Sequence, residues 1–137
     1  MSFEVIEMDE DQSVKAFRDL EVWRRSIELC VAIYEFTRTF PMDELYGLRS
    51  QLRRASVSIP SNIAEGCGRR STGEFIQFIG IARGSIFEVQ TQLVIANKLK
   101  FGSKTELAEC GRLSTEITKM LNALMNSLKA KQPKSNH

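Results

Sequence analysis

The chain has 137 residues, 42% of them hydrophobic and 26% charged, and a net charge of +2. That is the size of one domain with a real core, and no apolar run reaches the roughly 18 residues that a membrane span needs. Three prolines and eight glycines leave little sequence for linkers.

The small net charge hides an asymmetry. Glu4, Glu7, Asp9, Glu10 and Asp11 precede the first base, Lys15. Setting these five aside leaves 19 bases against 12 acids, a body of +7. A basic body suits an acidic partner such as nucleic acid; the plainer alternative is a solvated surface with an acidic tail. The acidic opening has neither the basic start nor the apolar run of a secretory signal. Cys30, Cys67 and Cys110 are odd in number and lie in helical patterns, which suits reduced thiols in a cytoplasmic protein.

Residues 1–15 read as a flexible acidic tail, residues 16–130 as one bundle, and residues 131–137 as a polar tail. The first helix is expected from about Asp19, its N-cap, to Arg38. Leu20, Trp23, Ile27, Cys30, Tyr34 and Thr37 share one face at spacings of three and four. Val22, Leu29, Ile33 and Phe36 form a second apolar row about 100° away. Phe40-Pro41 stops the helix.

The second helix is expected from near Asp43, with Leu45, Leu48, Leu52, Ala55, Ile59, Ile63 and Gly66 facing the core. Pro60 falls inside this row. It removes one backbone hydrogen bond and predicts a kink, with Ser56 or Ser58 compensating the freed backbone group. The apolar spacing crosses it undisturbed, so one kinked helix is expected rather than two, ending at Gly66 to Gly68.

Ser71-Thr72-Gly73-Glu74 is a capping box that opens the third helix. Its core row is Phe75, Phe78, Ile79, Ala82, Ile86, Val89 and Leu93. Ile76, Gly80, Phe87 and Val94 form a second row, and the helix is expected to end near Lys98 to Phe101, with Gly102 in the turn. Ser103-Lys104-Thr105-Glu106 opens the fourth, whose seam is Leu107, Cys110, Ser114, Ile117, Leu121, Leu124 and Leu128. The predicted fold is all-α, an antiparallel up-down-up-down four-helix bundle with helix two kinked at Pro60. In a monomer the second rows would face water, so they predict a homo-oligomer meeting through them. The alternative is a bundle core wide enough to take both rows.

Catalysis has little support. The only histidine is His137, the last residue. The cysteines lack paired metal-ligand spacing, no phosphate-binding loop is present, and the E-x-x-H of bundle metal sites is missing, so neither a metal nor a cofactor is expected. What remains is a polar stripe on helix two: Gln51, Arg54, Ser58, Asn62, Glu65 and Arg69, with Arg49 and Arg53 on the other side of the core row. Ser58, Asn62 and Glu65 suit a helix or subunit interface. Arg49, Arg53, Arg54, Arg69 and Arg70 are the candidate phosphate contacts, with Asn62 and the serines adding polar contacts in that reading; Arg53, Arg54, Arg69 and Arg70 equally suit hydrogen bonds at a helix or subunit interface. No aromatic residues interleave with them in sequence as base-stacking sites would require.

Several strings resemble one family: F-R-D-L-E-V-W from Phe17, F-P-x-x-E-L-Y-G-L from Phe40, Q-L-R-R-A from Gln51, S-I-P-S-N-I-A-E-G from Ser58 and I-A-R-G-S-I-F-E from Ile81. It is the four-helix-bundle family related to proteins encoded in the intervening sequences of bacterial 23S rRNA genes. The resemblance implies a cytosolic bacterial bundle that assembles into rings of five. The family is also similar to the accessory protein of diversity-generating retroelements, a basic pentameric barrel that binds nucleic acid and a reverse transcriptase. By that analogy the chain is expected to be a non-enzymatic oligomer that binds RNA or DNA. The competing expectation is a protein–protein adaptor with no nucleic-acid role.

Overall fold

A computed structural model describes residues 17, 18, 20–44 and 47–132. The acidic segment 1–15, Asp19, Leu45 and His137 lie outside the described residues. Four helices carry the fold: α1 (Glu21–Thr37), α2 (Leu48–Cys67), α3 (Thr72–Lys98) and α4 (Lys104–Lys131). A 3₁₀ turn, Met42–Glu44, sits between α1 and α2. No strand occurs among the described residues, and no helix there is long and apolar enough to cross a membrane.

Each helix packs on its sequence neighbours and α1 closes against α4, while the backbones of the diagonal pairs stay more than 8 Å apart between Cα atoms among the described residues. Neighbours run antiparallel, as their contacts show. Gln51 meets Gln92 and Ser58 meets Ser85, so partners on α3 descend as those on α2 ascend. The same holds between α3 and α4, where Arg83 bonds Asn122 and Gln90 bonds Thr118.

The serine half of each expected capping box forms at α3 and α4. The Glu74 N–H donates to Ser71 Oγ at 3.1 Å, and the Glu106 N–H to Ser103 Oγ at 3.1 Å. The α1 N-cap is Leu20, with no side-chain bond. The second long helix begins at Leu48, later than the spacing predicts, because Met42–Glu44 forms its own tight turn and the Leu48 N–H is taken by the Glu44 carboxylate at 2.8 Å. At its other end the chain holds helix to Lys131, one residue into the segment expected as tail.

The core row of α2 is buried as expected: Leu48, Leu52, Ala55, Ile59, Ile63 and Gly66. Fully burying such an aliphatic side chain contributes about 1.5–3 kcal/mol. The first helix differs from expectation. Leu29, Ile33 and Phe36 are all 0% exposed and Val22 is 5% exposed within the single chain. The row expected to face water is therefore the centre of the core, while Tyr34, assigned to the core, is 45% exposed. The physical reason is that α1 occupies a corner between α2 and α4 and needs a wide apolar arc; two rows 100° apart are that arc. On α3 the second row splits. Ile76 and Gly80 are half-buried, whereas Phe87 and Val94 are exposed.

Pro60 lies inside one uninterrupted helix. It has no N–H for the Ser56 carbonyl four residues earlier, and its ring crowds that carbonyl. The Cys30 thiol of α1 donates to the Ser56 oxygen at 3.1 Å. The next two carbonyls also gain side-chain donors: Ser61 Oγ to Val57 O at 2.8 Å and Asn62 Nδ2 to Ser58 O at 2.8 Å. The compensating donor at Ser56 is thus a thiol on the neighbouring helix, and not Ser56 or Ser58. The Ser56 hydroxyl bonds Arg53 O instead.

α3 ends in a Schellman arrangement. The Phe101 N–H reaches Ala96 O at 2.9 Å and the Lys100 N–H reaches Asn97 O at 3.1 Å, with Lys100 at φ 61°. Gly102 follows at φ 73°, where a Cβ would come within 2.4 Å of the Phe36 ring, so this position admits only glycine.

These backbone details lead to two expected outcomes for stability. Cys30→Ala should cost about 1–2 kcal/mol in denaturant melts, because it leaves a buried carbonyl unpaired. In a Pro60→Ala background, where the helix supplies the missing N–H, the cost should shrink by about 0.5 kcal/mol or more. Equal costs in both backgrounds would sink this account of the thiol. Separately, Lys100→Gly should stabilise the fold by about 0.5–1 kcal/mol, since only the side chain penalises this left-handed position.

Candidate functional site

α1 ends at Thr37 with no basic residue in its last turn. A helix C-terminus presents carbonyls without donors and a partial negative charge. Arginines of α2 meet this need from across the helix pair. Arg53 Nε donates to Thr37 Oγ1 at 2.9 Å and Nη2 to Tyr34 O at 3.3 Å. Arg49 Nη2 donates to Phe40 O at 2.8 Å. The Arg53 guanidinium also lies 4.4 Å from the Tyr34 ring centroid, a cation–π contact.

These residues border a groove of about 410 Å³ lined by Tyr34, Arg49, Ser50, Arg53, Arg54 and Val57. No carboxylate is among the six, and guanidinium groups stay charged throughout the accessible pH range. Arg49 Nε is buried with no hydrogen-bond partner. Arg54 is exposed and makes no hydrogen bond or ion pair among the described residues. The groove therefore holds two anchored arginines and one free one.

The other candidate arginines are elsewhere. Arg69 and Arg70 follow the far end of α2, on the order of 20 Å of helix axis from Arg53. Arg69 is engaged on both sides: its Nη2 pairs with Glu65 at 2.9 Å and its guanidinium lies 4.7 Å from the Phe78 ring centroid. Arg70 is exposed. The five arginines form two separate places, and three of them, Arg49, Arg53 and Arg54, line one groove.

The polar stripe also divides. Ser58 Oγ bonds Ser85 Oγ at 2.9 Å, and Asn62 Nδ2 reaches Ser58 Oγ at 3.0 Å. Both residues are half-buried in the α2–α3 seam. Glu65 is exposed and faces Arg69 rather than a neighbouring helix. Small residues keep this seam tight: a Cβ on Gly66 would come within 2.8 Å of Phe75 and 2.9 Å of Phe78.

Sequence reasoning missed Tyr34. It found no aromatic residue between the arginines because this one comes from the preceding helix. The signal was present in the apolar row that placed Tyr34 three residues before Thr37, but that row was taken as core.

The chemistry elsewhere is quiet. Burial pushes the Cys30 and Cys67 thiols up to about 11. It pushes Cys110 to about 12, with the Glu106 and Glu109 carboxylates adding to the effect. All three are protonated at neutral pH, which disfavours thiolate attack and metal ligation. No group of three or more histidine, cysteine, aspartate or glutamate side chains among the described residues could hold a metal ion.

The fold has a counterpart of known structure. A crystal structure of a protein of unknown function from the S23 ribosomal protein family of Bacteroides thetaiotaomicron superposes with a TM-score of 0.68 at 25% identity, covering 77% of this chain and 95% of that one. No curated protein matches the chain. The family model of the 23S rRNA-intervening sequence protein matches residues 18–123, which takes in all of α1, α2 and α3 and most of α4, including the arginine groove. The chain belongs to the 23S rRNA-intervening sequence protein family.

Proposed function

We propose that this protein is a non-enzymatic, cytoplasmic homo-oligomer that binds RNA or other nucleic acid through the groove between α1 and α2. The observation that carries this reading is the groove itself: three arginines with no carboxylate among its lining residues, one of them without a partner. Arginine is suited to phosphate because its planar donors match two oxygens at once. The +7 body supports the same reading.

Assembly is supported by α3. This helix carries apolar residues all round, and only one face is buried in the chain. Ile81, Phe87, Val94 and Ile95 lie on its outside, with Phe87 48% and Val94 58% exposed. Gly84 sits among them, and a Cβ there would meet nothing within the chain. A glycine in a helix interior costs about 1 kcal/mol relative to alanine, and nothing within the subunit requires this one. A second copy approaching closely over Gly84 would account for both features. The family resemblance implies five copies. A ring would also present several grooves at once, raising avidity for a long polyanion.

The adaptor reading keeps the same ring and replaces the nucleic acid by an acidic protein surface. Arg54→Glu separates the two, since Arg54 holds nothing in the fold. Retention of a labelled RNA should fall, and the slope of log affinity against log salt should drop by about 1 for each phosphate no longer neutralised. Unchanged RNA affinity at low salt would refute nucleic-acid binding through this groove. Phe87→Glu should convert the assembly to smaller species in light scattering while helical circular dichroism is kept; an unchanged mass would remove α3 from the interface.

A further inference from the structure

The geometry points to a more specific ligand: we propose that the groove takes an unpaired nucleotide of a single strand, its base extending the Tyr34–Arg53 stack. This rests on the nucleic-acid reading above and narrows it.

Four observations converge. First, the Arg53 guanidinium is already fixed against an aromatic ring, 4.4 Å from the Tyr34 centroid, and two hydrogen bonds to α1 hold it there. Planar guanidinium and aromatic faces are the two surfaces on which proteins stack unpaired bases. Second, the Tyr34 ring is not consumed by the core, being 45% exposed, and Val57 beside it is 42% exposed. An apolar and aromatic patch is wasted on a phosphate but suits a base. Third, charge is placed at the edge of this platform. Arg54 is exposed and holds nothing in the fold, which gives a sugar-phosphate backbone a donor. Fourth, the groove holds about 410 Å³. That is near the lower end of the roughly 300–1,000 Å³ of small-ligand sites, room for one nucleotide, and the bases of a duplex, stacked on each other and turned inward, would not reach the ring.

Ser50 completes the lining with a hydroxyl that can accept as well as donate. A purely electrostatic groove would need neither Tyr34 nor Val57. An acidic peptide would use the arginines and leave the ring without a role. The ring is the feature that favours a nucleobase over either alternative.

Tyr34→Leu is the informative variant, with Tyr34→Phe as its conservative control. Both leave the Tyr34 carbonyl that anchors Arg53 in place, and circular dichroism and native mass report whether fold and assembly survive. Fluorescence anisotropy is read with labelled oligouridylate, with a duplex RNA of the same length, and with polyglutamate as competitor. Tyr34→Leu should weaken oligouridylate binding by about 5- to 100-fold, leave duplex binding unchanged, and leave the salt slope unchanged, because stacking carries no counterion release. Tyr34→Phe should bind as the wild type does. If Tyr34→Leu binds oligouridylate normally while Arg54→Glu does not, the groove reads phosphate alone and the stacking proposal is overturned, with the broader reading intact. If polyglutamate displaces oligouridylate at equal charge concentration, the ligand is an acidic peptide and the proposal fails. If Arg54→Glu also has no effect, the nucleic-acid reading falls with it.

Discussion

The missing N–H of Pro60 is the constraint around which the α1–α2 pair is set. A helix that keeps its register through a proline leaves one carbonyl without a donor, and in a buried helix that carbonyl cannot turn to water. Here the Ser56 oxygen is met by the Cys30 thiol, so an orphan acceptor in one helix fixes where the next helix must lie. Contacts further along keep the same register. One turn beyond Cys30 stands Tyr34, and Arg53, one turn before Ser56, stacks on it. A further turn brings Thr37 to the same Arg53, and beyond the helix end Arg49 takes the Phe40 carbonyl. The arginine groove is therefore the open end of a ladder whose first rung is a thiol bonded to a proline-freed carbonyl.

The α2–α3 seam works by a different means. It is held by Ser58 with Ser85 and Gln51 with Gln92, with Asn62 of the same helix bonding Ser58, and closed at its end by Gly66 under Phe75 and Phe78. Apolar seams tolerate sliding by a turn, because leucine and isoleucine pack in several registers. Paired polar groups do not, since a slipped register would leave the buried members, Ser85 and Gln92, without their partners. Small side chains in the same seam let the backbones come close enough for short hydroxyl–hydroxyl bonds. With α2 and α3 locked in this way, the outer face of α3 is presented as a rigid surface, and its apolar residues cannot turn inward.

Much of this was legible in the chain. The row Leu48, Leu52, Ala55, Ile59, Ile63 and Gly66 reads as core from spacing alone and is core, and both capping boxes mark true helix starts. What failed was the choice between two apolar rows on α1. Periodicity measures the angle between rows and cannot say which of them points at the bundle axis; that depends on where α4 lies, which no local pattern encodes. The error moved Val22, Leu29, Ile33 and Phe36 to the surface and Tyr34 to the core. It also removed the aromatic partner from the arginine cluster, so the site looked poorer in sequence than it is in space. The donor for Ser56 was hidden for the same reason, since Cys30 lies 26 residues away and reaches it only across a helix pair.

Arg53 shows why its structural role need not compete with the proposed binding role. Its Nε and one Nη are spent on α1, closing a helix end that has no base of its own. A lysine could supply the charge but not the planar fork, and it could not stack on Tyr34 while doing so. Anchoring removes the rotamer freedom that an exposed arginine loses on binding, an entropic cost of about 0.5–1.5 kcal/mol for a side chain of this kind. Arg54, one residue on, keeps that freedom and projects from the exposed side of the helix. The two arginines thus play different parts, one preorganised as a surface and its neighbour left mobile as a charge. A groove built only to fasten two helices would need the first and have no use for the second.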